Sequence, residues 1–410
     1  MLHQLEGSQA IAKAVALCRP GMVCAYPITP QTHIVEHLGE LVHAGELWNC
    51  DYVNVESEMA AISVTIGSQA AGVRSYTATS SQGLLYMIEG VYNASGLELP
   101  IVMTLGNRAI GSPINIWNDH SDAMAVRDAG WIMLFPETNQ EAADLHIQAF
   151  KIAETLQCPV MVCVDGFVLT HAYEQVDIPS QEMVDDFLPH YKPQVCLDVA
   201  NPLAIGTMVP PEYFMEVRYL AHKKQFEALK IIEHEEKNFH EKFERHAGGL
   251  IRTYKTEGAE TIIVAMGSVL GTIKDTVDEL NAQGGKFGVV SIVSYRPFPS
   301  EALEAALAIA PHVVVVEKAL AVGIGGILSQ EVKLCLKNPR KKVSSIIAGL
   351  GGRAITKSML KHCLEHDLHW EKILSWEEDH REIFLGLNHD TIKKEFESVK
   401  NCCCKQKENQ

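Results

Sequence analysis

Apolar and polar positions alternate in two rhythms along the first 170 residues. Ser8–Arg19 sets Ile11, Ala14, Val15 and Cys18 on one stripe, the spacing of an amphipathic helix, and Pro20-Gly21 stops it. A short apolar strand is predicted over Met22–Tyr26, then a Pro-Ile-Thr-Pro turn and a helix around Thr32–Val42. Strands are expected at Asp51–Val55, Ser75–Thr79, Ile101–Gly106 and Pro159–Val164, with helices at Ser57–Ala71, Gln82–Tyr92 and Asn139–Leu156. Strand and helix in repeated alternation predict a mostly parallel sheet covered on both faces.

From about 212 to 256 the strand pattern stops and charges and histidines crowd together, which predicts a solvated helical connector. A second α/β unit begins at Thr261: strands Thr261–Met266, Phe287–Val293, His312–Glu317 and Val343–Ala348 are separated by helices and by a bend at Gly323–Gly326. The expected division is therefore 1–211, a connector over 212–256, a second domain over 257–365, and a polar, helix-prone extension and tail over 366–410. A chain of 410 residues suits two domains.

Charge narrows the partners. A formal net charge of −16 excludes nucleic acid and an anionic membrane surface as partners, since both need a positive field. It leaves a small anionic substrate open, because one arginine can outweigh a distributed negative surface. No apolar run approaches the roughly 20 residues of a membrane helix, and Met1–Glu6 lacks a secretory pattern, so a cytoplasmic chain is expected. Of the eleven cysteines, most sit among apolar neighbours and read as free buried thiols. Cys402-Cys403-Cys404 have divergent side chains, which favours an exposed tail over a cluster or metal site. No metal-binding set is expected on this chain.

Ligands of parallel sheets gather beyond the carboxyl ends of strands, and three segments put polar groups there. In Tyr26–Pro30, two prolines stiffen a loop that presents Thr29; the plainer reading makes Thr29 the cap of the next helix. Glu58 opens a helix of small residues. An acid there either favours the helix dipole or does chemistry: beside the aminopyrimidine of thiamine diphosphate, a carboxylic acid protonates the ring and makes its exocyclic amine a better base. Spacing alone does not choose. Arg108 follows Ile101–Leu105, where its planar fork suits a small carboxylate or, equally, an interdomain salt bridge. The polar run Asn115–Asp122 holds Asp119 and His120, which read as a hydrogen-bonded loop rather than metal ligands. Thr79–Gly83 lacks the first glycine of a nucleophile elbow, and Gly323–Leu328 lacks the third glycine of a dinucleotide fingerprint. Gly349–Arg353 suits either an anion cradle or a tight turn.

Taken in order, Tyr26–Pro30, Glu56-Ser57-Glu58, Thr79–Gly83, Gly106–Ala109 and Asn115–Asp122 resemble the 2-oxoacid:ferredoxin oxidoreductases, pyruvate-type members above all. Gly267-Ser268, Arg296–Pro299 and Gly323–Gly326 are similar to the transketolase-C-like domain that follows in that family. The resemblance spans about residues 5–360. It implies an α/β pyrimidine-type thiamine-diphosphate domain followed by a transketolase C-terminal-like domain. It also assigns Glu58 as the catalytic acid at the cofactor, Thr29 as a substrate contact and Arg108 as partner of the 2-oxoacid carboxylate. The implied reaction takes pyruvate, coenzyme A and oxidised ferredoxin to acetyl-CoA, carbon dioxide and reduced ferredoxin. The family's Gly-Asp-Gly with a downstream asparagine and its cluster-binding cysteine runs are missing here, so Mg2+ and [4Fe-4S] clusters are expected on beta-, gamma- and delta-type partner subunits. A 2-oxoisovalerate or other 2-oxoacid enzyme, and a non-catalytic structural subunit, are the alternatives; the broken fingerprint speaks against a nicotinamide dehydrogenase.

Overall fold

In a computed structural model the chain is described over residues 2–338, 341–368 and 382–395. The strands of its first half are β1 (Leu2–Glu6), β2 (Met22–Ala25), β3 (Asp51–Asn54), β4 (Ser75–Thr79), β5 (Val102–Asn107), β6 (Ile132–Leu134), β7 (Val160–Asp165) and β8 (Tyr173–Asp177). Those of the second half are β9 (Ile251–Tyr254), β10 (Thr261–Ala265), β11 (Phe287–Ile292), β12 (Ser294–Arg296), β13 (His312–Glu317), β14 (Lys342–Ile347) and β15 (Glu382–Phe384). The first sheet runs β12-β6-β7-β5-β4-β2-β3 and the second β15-β14-β13-β10-β11-β9, while β1 and β8 form a separate antiparallel pair.

Both large sheets are parallel except at one edge strand each, β12 against β6 and β9 against β11. The mostly parallel, two-faced sheet read from the alternating pattern is thus what forms. Its central strands explain themselves: every residue of β5 and β7 is buried, and both are nearly continuous apolar runs, as a strand covered on both faces requires. Each such Val, Met or Leu contributes roughly 1.5–3 kcal/mol by leaving water. On one face the helices Gly7–Leu17 and Asn139–Leu156 pack against each other. Inside the second of these, His146 Nδ1 lies 2.6 Å from the Ala142 carbonyl and Nε2 lies 2.5 Å from Thr104 Oγ1, which meets the Tyr76 hydroxyl at 2.6 Å. Burial pushes the imidazole down to about 4, so a neutral ring closes this polar chain.

Four details depart from the sequence pattern. The strand-free stretch 212–256 contains the expected long helix, Pro211–Phe243, but also β9, whose four residues are too few to show a period of two. Ser294–Arg296 leaves the second unit to extend the first sheet. The Gln82–Tyr92 helix breaks at Met87 into Ser81–Tyr86 and Ile88–Gly96. The pair β1–β8 had no recognisable signal, because its strands are largely solvent-facing and polar. Among the described residues no helix is long and apolar enough to cross a membrane. Cys402–Cys404 and most of the expected 366–410 extension lie outside the described residues.

Candidate active site

Strand order places the chemistry. β3, β2, β4 and β5 are consecutive neighbours in one parallel sheet, so the segments that follow them emerge side by side at its carboxyl edge. These segments carry Glu58, Thr29, Thr79–Gly83 and Arg108 respectively. The chain leaves β2 for β3 on one side and then returns to β4 on the other, and ligands of such sheets bind at the carboxyl edge where the winding reverses.

Thr29 does not cap the following helix: that helix is Thr32–His43 and its N-cap is Gln31, with no side-chain bond. The Thr29 side of the loop is exposed, and its backbone carbonyl accepts a hydrogen bond from Arg108 Nη1 at 2.9 Å. Arg108 is 6% exposed, and its Nε donates to the Asn115 carbonyl at 3.1 Å. No carboxylate pairs with its guanidinium among the described residues, so the salt-bridge reading fails, and Nη2 has no protein acceptor among them. Burial lowers its pKa, with the Asp122 charge opposing. A buried cation neutralised by no side chain is suited to a small anion.

Glu58 is the first residue of the helix Glu58–Ala70, whose N-cap Ser57 accepts the Ala60 N–H at 3.2 Å. Its carboxylate is buried against Gly83: a Cβ placed on Gly83 would lie 2.6 Å from Glu58 Oε1 and 2.6 Å from Thr79 Oγ1. The Thr79 hydroxyl beside it, and the Ser80 hydroxyl that faces Gly106, are buried without hydrogen-bond partners among the described residues. Buried hydroxyls normally find partners. Glycine at 83 is what leaves room for the acid. Gly83→Ala is therefore expected to push the Glu58 carboxylate off position and slow turnover about 10²-fold, leaving the substrate KM near its starting value. Steady-state kinetics of the assembled enzyme checks the split.

Asp122 ties the two loops together. It accepts N–H groups from Ser81 (3.0 Å), Arg108 (2.9 Å) and Ala123 (2.8 Å) and the Asn107 side-chain amide (2.9 Å). Burial pushes its carboxyl up to about 7, with the Asn107, Arg108 and Ser81 bonds opposing. Ser81, held at φ 48°, depends on this grip.

Beneath the site lies Asp165, the last residue of β7 and fully buried. It accepts from His120 Nε2 at 2.6 Å, Lys318 Nζ at 3.1 Å, the Ser268 N–H at 3.0 Å and the Ser268 hydroxyl. Burial alone would raise it, but Lys318 and His120 hold it well below the usual carboxylate range. Asp119, expected in a hydrogen-bonded loop, caps Ser121 and takes the Gly351 N–H at 3.0 Å, so the Gly349–Arg353 turn cradles an internal carboxylate. Likewise Glu317 accepts the Leu328 and Ser329 N–H groups after the Gly323–Gly326 bend, placing a carboxylate where a dinucleotide phosphate would need to sit. Asp122 and Gly83 stood inside motifs without a role of their own, and Asp165 and Lys318 lie outside every motif singled out in the sequence. Their one signal is position: Asp165 closes the apolar run of β7, and Glu317-Lys318 closes that of β13.

Comparisons with known proteins show the family and the fold. The family described as pyruvate flavodoxin/ferredoxin oxidoreductase, thiamine diP-bdg, matches residues 13–237, and pyruvate:ferredoxin oxidoreductase core domain II matches 259–360. The chain is 47% identical over 366 residues to the pyruvate synthase subunit PorA of Methanosarcina barkeri, covering 88% of this chain and 91% of that one. It is 40% identical over 364 residues to the ketoisovalerate oxidoreductase subunit VorA of Pyrococcus horikoshii, covering 88% and 92%. A solved 2-oxoglutarate:ferredoxin oxidoreductase from Magnetococcus marinus shares the fold, with a TM-score of 0.69 at 22% identity over 89% of this chain and 65% of that chain.

Proposed function

Because the chain belongs to the pyruvate:ferredoxin oxidoreductase family, we propose that it is the alpha-type subunit of a pyruvate:ferredoxin oxidoreductase and contributes the acid and the carboxylate clamp of its active site. One observation carries the reading: Arg108, a buried guanidinium with no carboxylate partner among the described residues, lies at the same sheet edge as Glu58. The reaction takes pyruvate, coenzyme A and oxidised ferredoxin to acetyl-CoA, carbon dioxide and reduced ferredoxin.

The residues present fit thiamine diphosphate. A buried carboxylate with no protein hydrogen bond among the described residues, an unpaired Thr79 hydroxyl, and a glycine whose Cβ would fill the space make a cradle for a polar ring. When bound, the cofactor supplies a nucleophilic carbon that lets a 2-oxoacid lose its carboxylate as carbon dioxide. Glu58 would hold the aminopyrimidine and exchange a proton with it. Arg108 binds the substrate carboxylate and Thr29 orients it; Asp122 keeps the Arg108 backbone and the Ser81 turn in register. One arginine beside an intact threonine suits a monocarboxylate. Mg2+, the grip on the diphosphate and the [4Fe-4S] clusters fall to beta-, gamma- and delta-type partners, because this sequence lacks the motifs for them.

Arg108→Lys keeps a charge but loses the two-pronged fork. The assembled variant is expected to show a pyruvate KM raised roughly tenfold, about 1.4 kcal/mol of binding, with kcat less affected. Pyruvate-dependent dye reduction by the purified complex, with 2-oxoisovalerate run beside it, tests the whole reading. Faster turnover of the branched acid would favour the ketoisovalerate alternative.

A further inference from the structure

Three residues distant in sequence meet behind the Thr29–Pro30 turn. Glu6 ends β1, His33 stands in the first turn of the helix Thr32–His43, and His171 follows β7. One ligand atom from each lies within 4.8 Å of the other two. Glu6 Oε1 is 2.7 Å from His33 Nδ1, and the two imidazole centroids are 4.7 Å apart. His171 is held on both sides: Phe167 lies against its ring at 4.7 Å, and Thr170 Oγ1 sits 2.7 Å from its Nδ1. That hydroxyl in turn accepts the Phe167 N–H at 2.8 Å. With Nδ1 engaged, Nε2 is the nitrogen left to face the cluster. A ring oriented through its second nitrogen is the usual arrangement around metal-ligating histidines.

We infer that Glu6, His33 and His171 form a binding site for a divalent transition-metal ion of the zinc class. Two imidazoles and one carboxylate are a ligand set such ions take, with a further position left for water. Calcium and magnesium, which prefer oxygen ligands, fit it poorly. Bond lengths of about 2.0–2.1 Å require the three ligands to close up slightly, and His33, with a side chain 44% exposed, has the freedom to move. The site joins β1, the helix after the substrate turn and the segment after β7. That last segment touches the turn itself, since a Cβ on Gly166 would lie 2.4 Å from Pro30 Cγ. An ion here clasps the backbone that presents Thr29.

The full chain, stripped with a chelator, is titrated with Co2+ and then Zn2+. Wild type is compared with His33→Ala, His171→Ala and the triple change Cys402→Ser, Cys403→Ser, Cys404→Ser. The expected result is a single Co2+ equivalent with visible d–d bands and no sulfur-to-cobalt charge transfer, displaced by Zn2+. Both histidine variants lose it and the serine variant keeps it. Zn2+ should also raise the melting temperature of wild type and leave the histidine variants unmoved. Circular dichroism of the metal-free variants checks their fold, and loss of the half-exposed His33 side chain is the change least expected to disturb it. Absence of cobalt bands in wild type, or bands that survive both histidine changes, overturns the site and leaves an ordinary histidine–carboxylate hydrogen bond.

Discussion

Assembled enzyme carrying Glu58→Ala is expected to turn over pyruvate about 10²–10⁴-fold more slowly than wild type, the range for losing a positioned proton-transfer group. Its stability should hardly change. Glu58 contributes a first-turn charge worth roughly 0.3–1 kcal/mol to its helix, while the Ser57 cap that fixes the helix start is untouched. The Glu58 carboxylate accepts no hydrogen bond from the protein among the described residues, so truncation strands no buried donor. Glu58→Gln sharpens the test: it keeps size and polarity and cannot lend a proton at neutral pH, so it should be as slow as the alanine variant. Dye reduction and a thermal melt of each complex are the measurements. Near-normal turnover by a properly assembled Glu58→Gln enzyme would reduce Glu58 to a helix-dipole residue.

The residues at this sheet edge differ in how far the sequence reveals them. The placement of Glu58, Thr29 and Arg108 just beyond strands of the parallel sheet was readable, because a period change from strand to helix marks each position. Chain order could bring them to one edge only if their strands were neighbours, and the order β3-β2-β4-β5 makes them so. The sequence left both meanings of Arg108 open; choosing between them takes the surroundings of the guanidinium, which come from Thr29 and Asn115, far apart in the chain. Gly83 was invisible for a related reason, because its meaning depends on a carboxylate that reaches it from another strand's loop. β12 was not predicted as a strand because three residues carry no period, and its pairing with β6 joins residues far apart in the chain. Local pattern thus yields the elements and the edge, and long-range contact decides what each polar group there faces.

Asp165 is the extreme case of that rule, and Asp165→Ala is expected to destabilise the chain by about 3–5 kcal/mol, the usual cost of removing one partner from a buried ion pair. The carboxylate closes β7 in the first half, whereas Ser268 and Lys318 follow β10 and β13 in the second, so the change also cuts a buried charged link between the halves. Lys318, whose side chain is 6% exposed, would be left buried without its counter-charge. Asp165→Asn keeps an acceptor for the Ser268 N–H but not the charge, and should fall between wild type and alanine. The pH dependence has a fixed sign. Because the folded carboxyl is held well below its unfolded value of about 3.9, ionised Asp165 stabilises the chain fully above that value. The contribution is lost as the pH falls from there through the folded pKa. Urea unfolding of the full chain should therefore show a wild-type advantage that is constant from neutral pH down to about 5 and shrinks below about 4. A loss under about 1 kcal/mol in the alanine variant at neutral pH would place it among ordinary surface ion pairs, and the two halves would then be held together by their apolar contact instead.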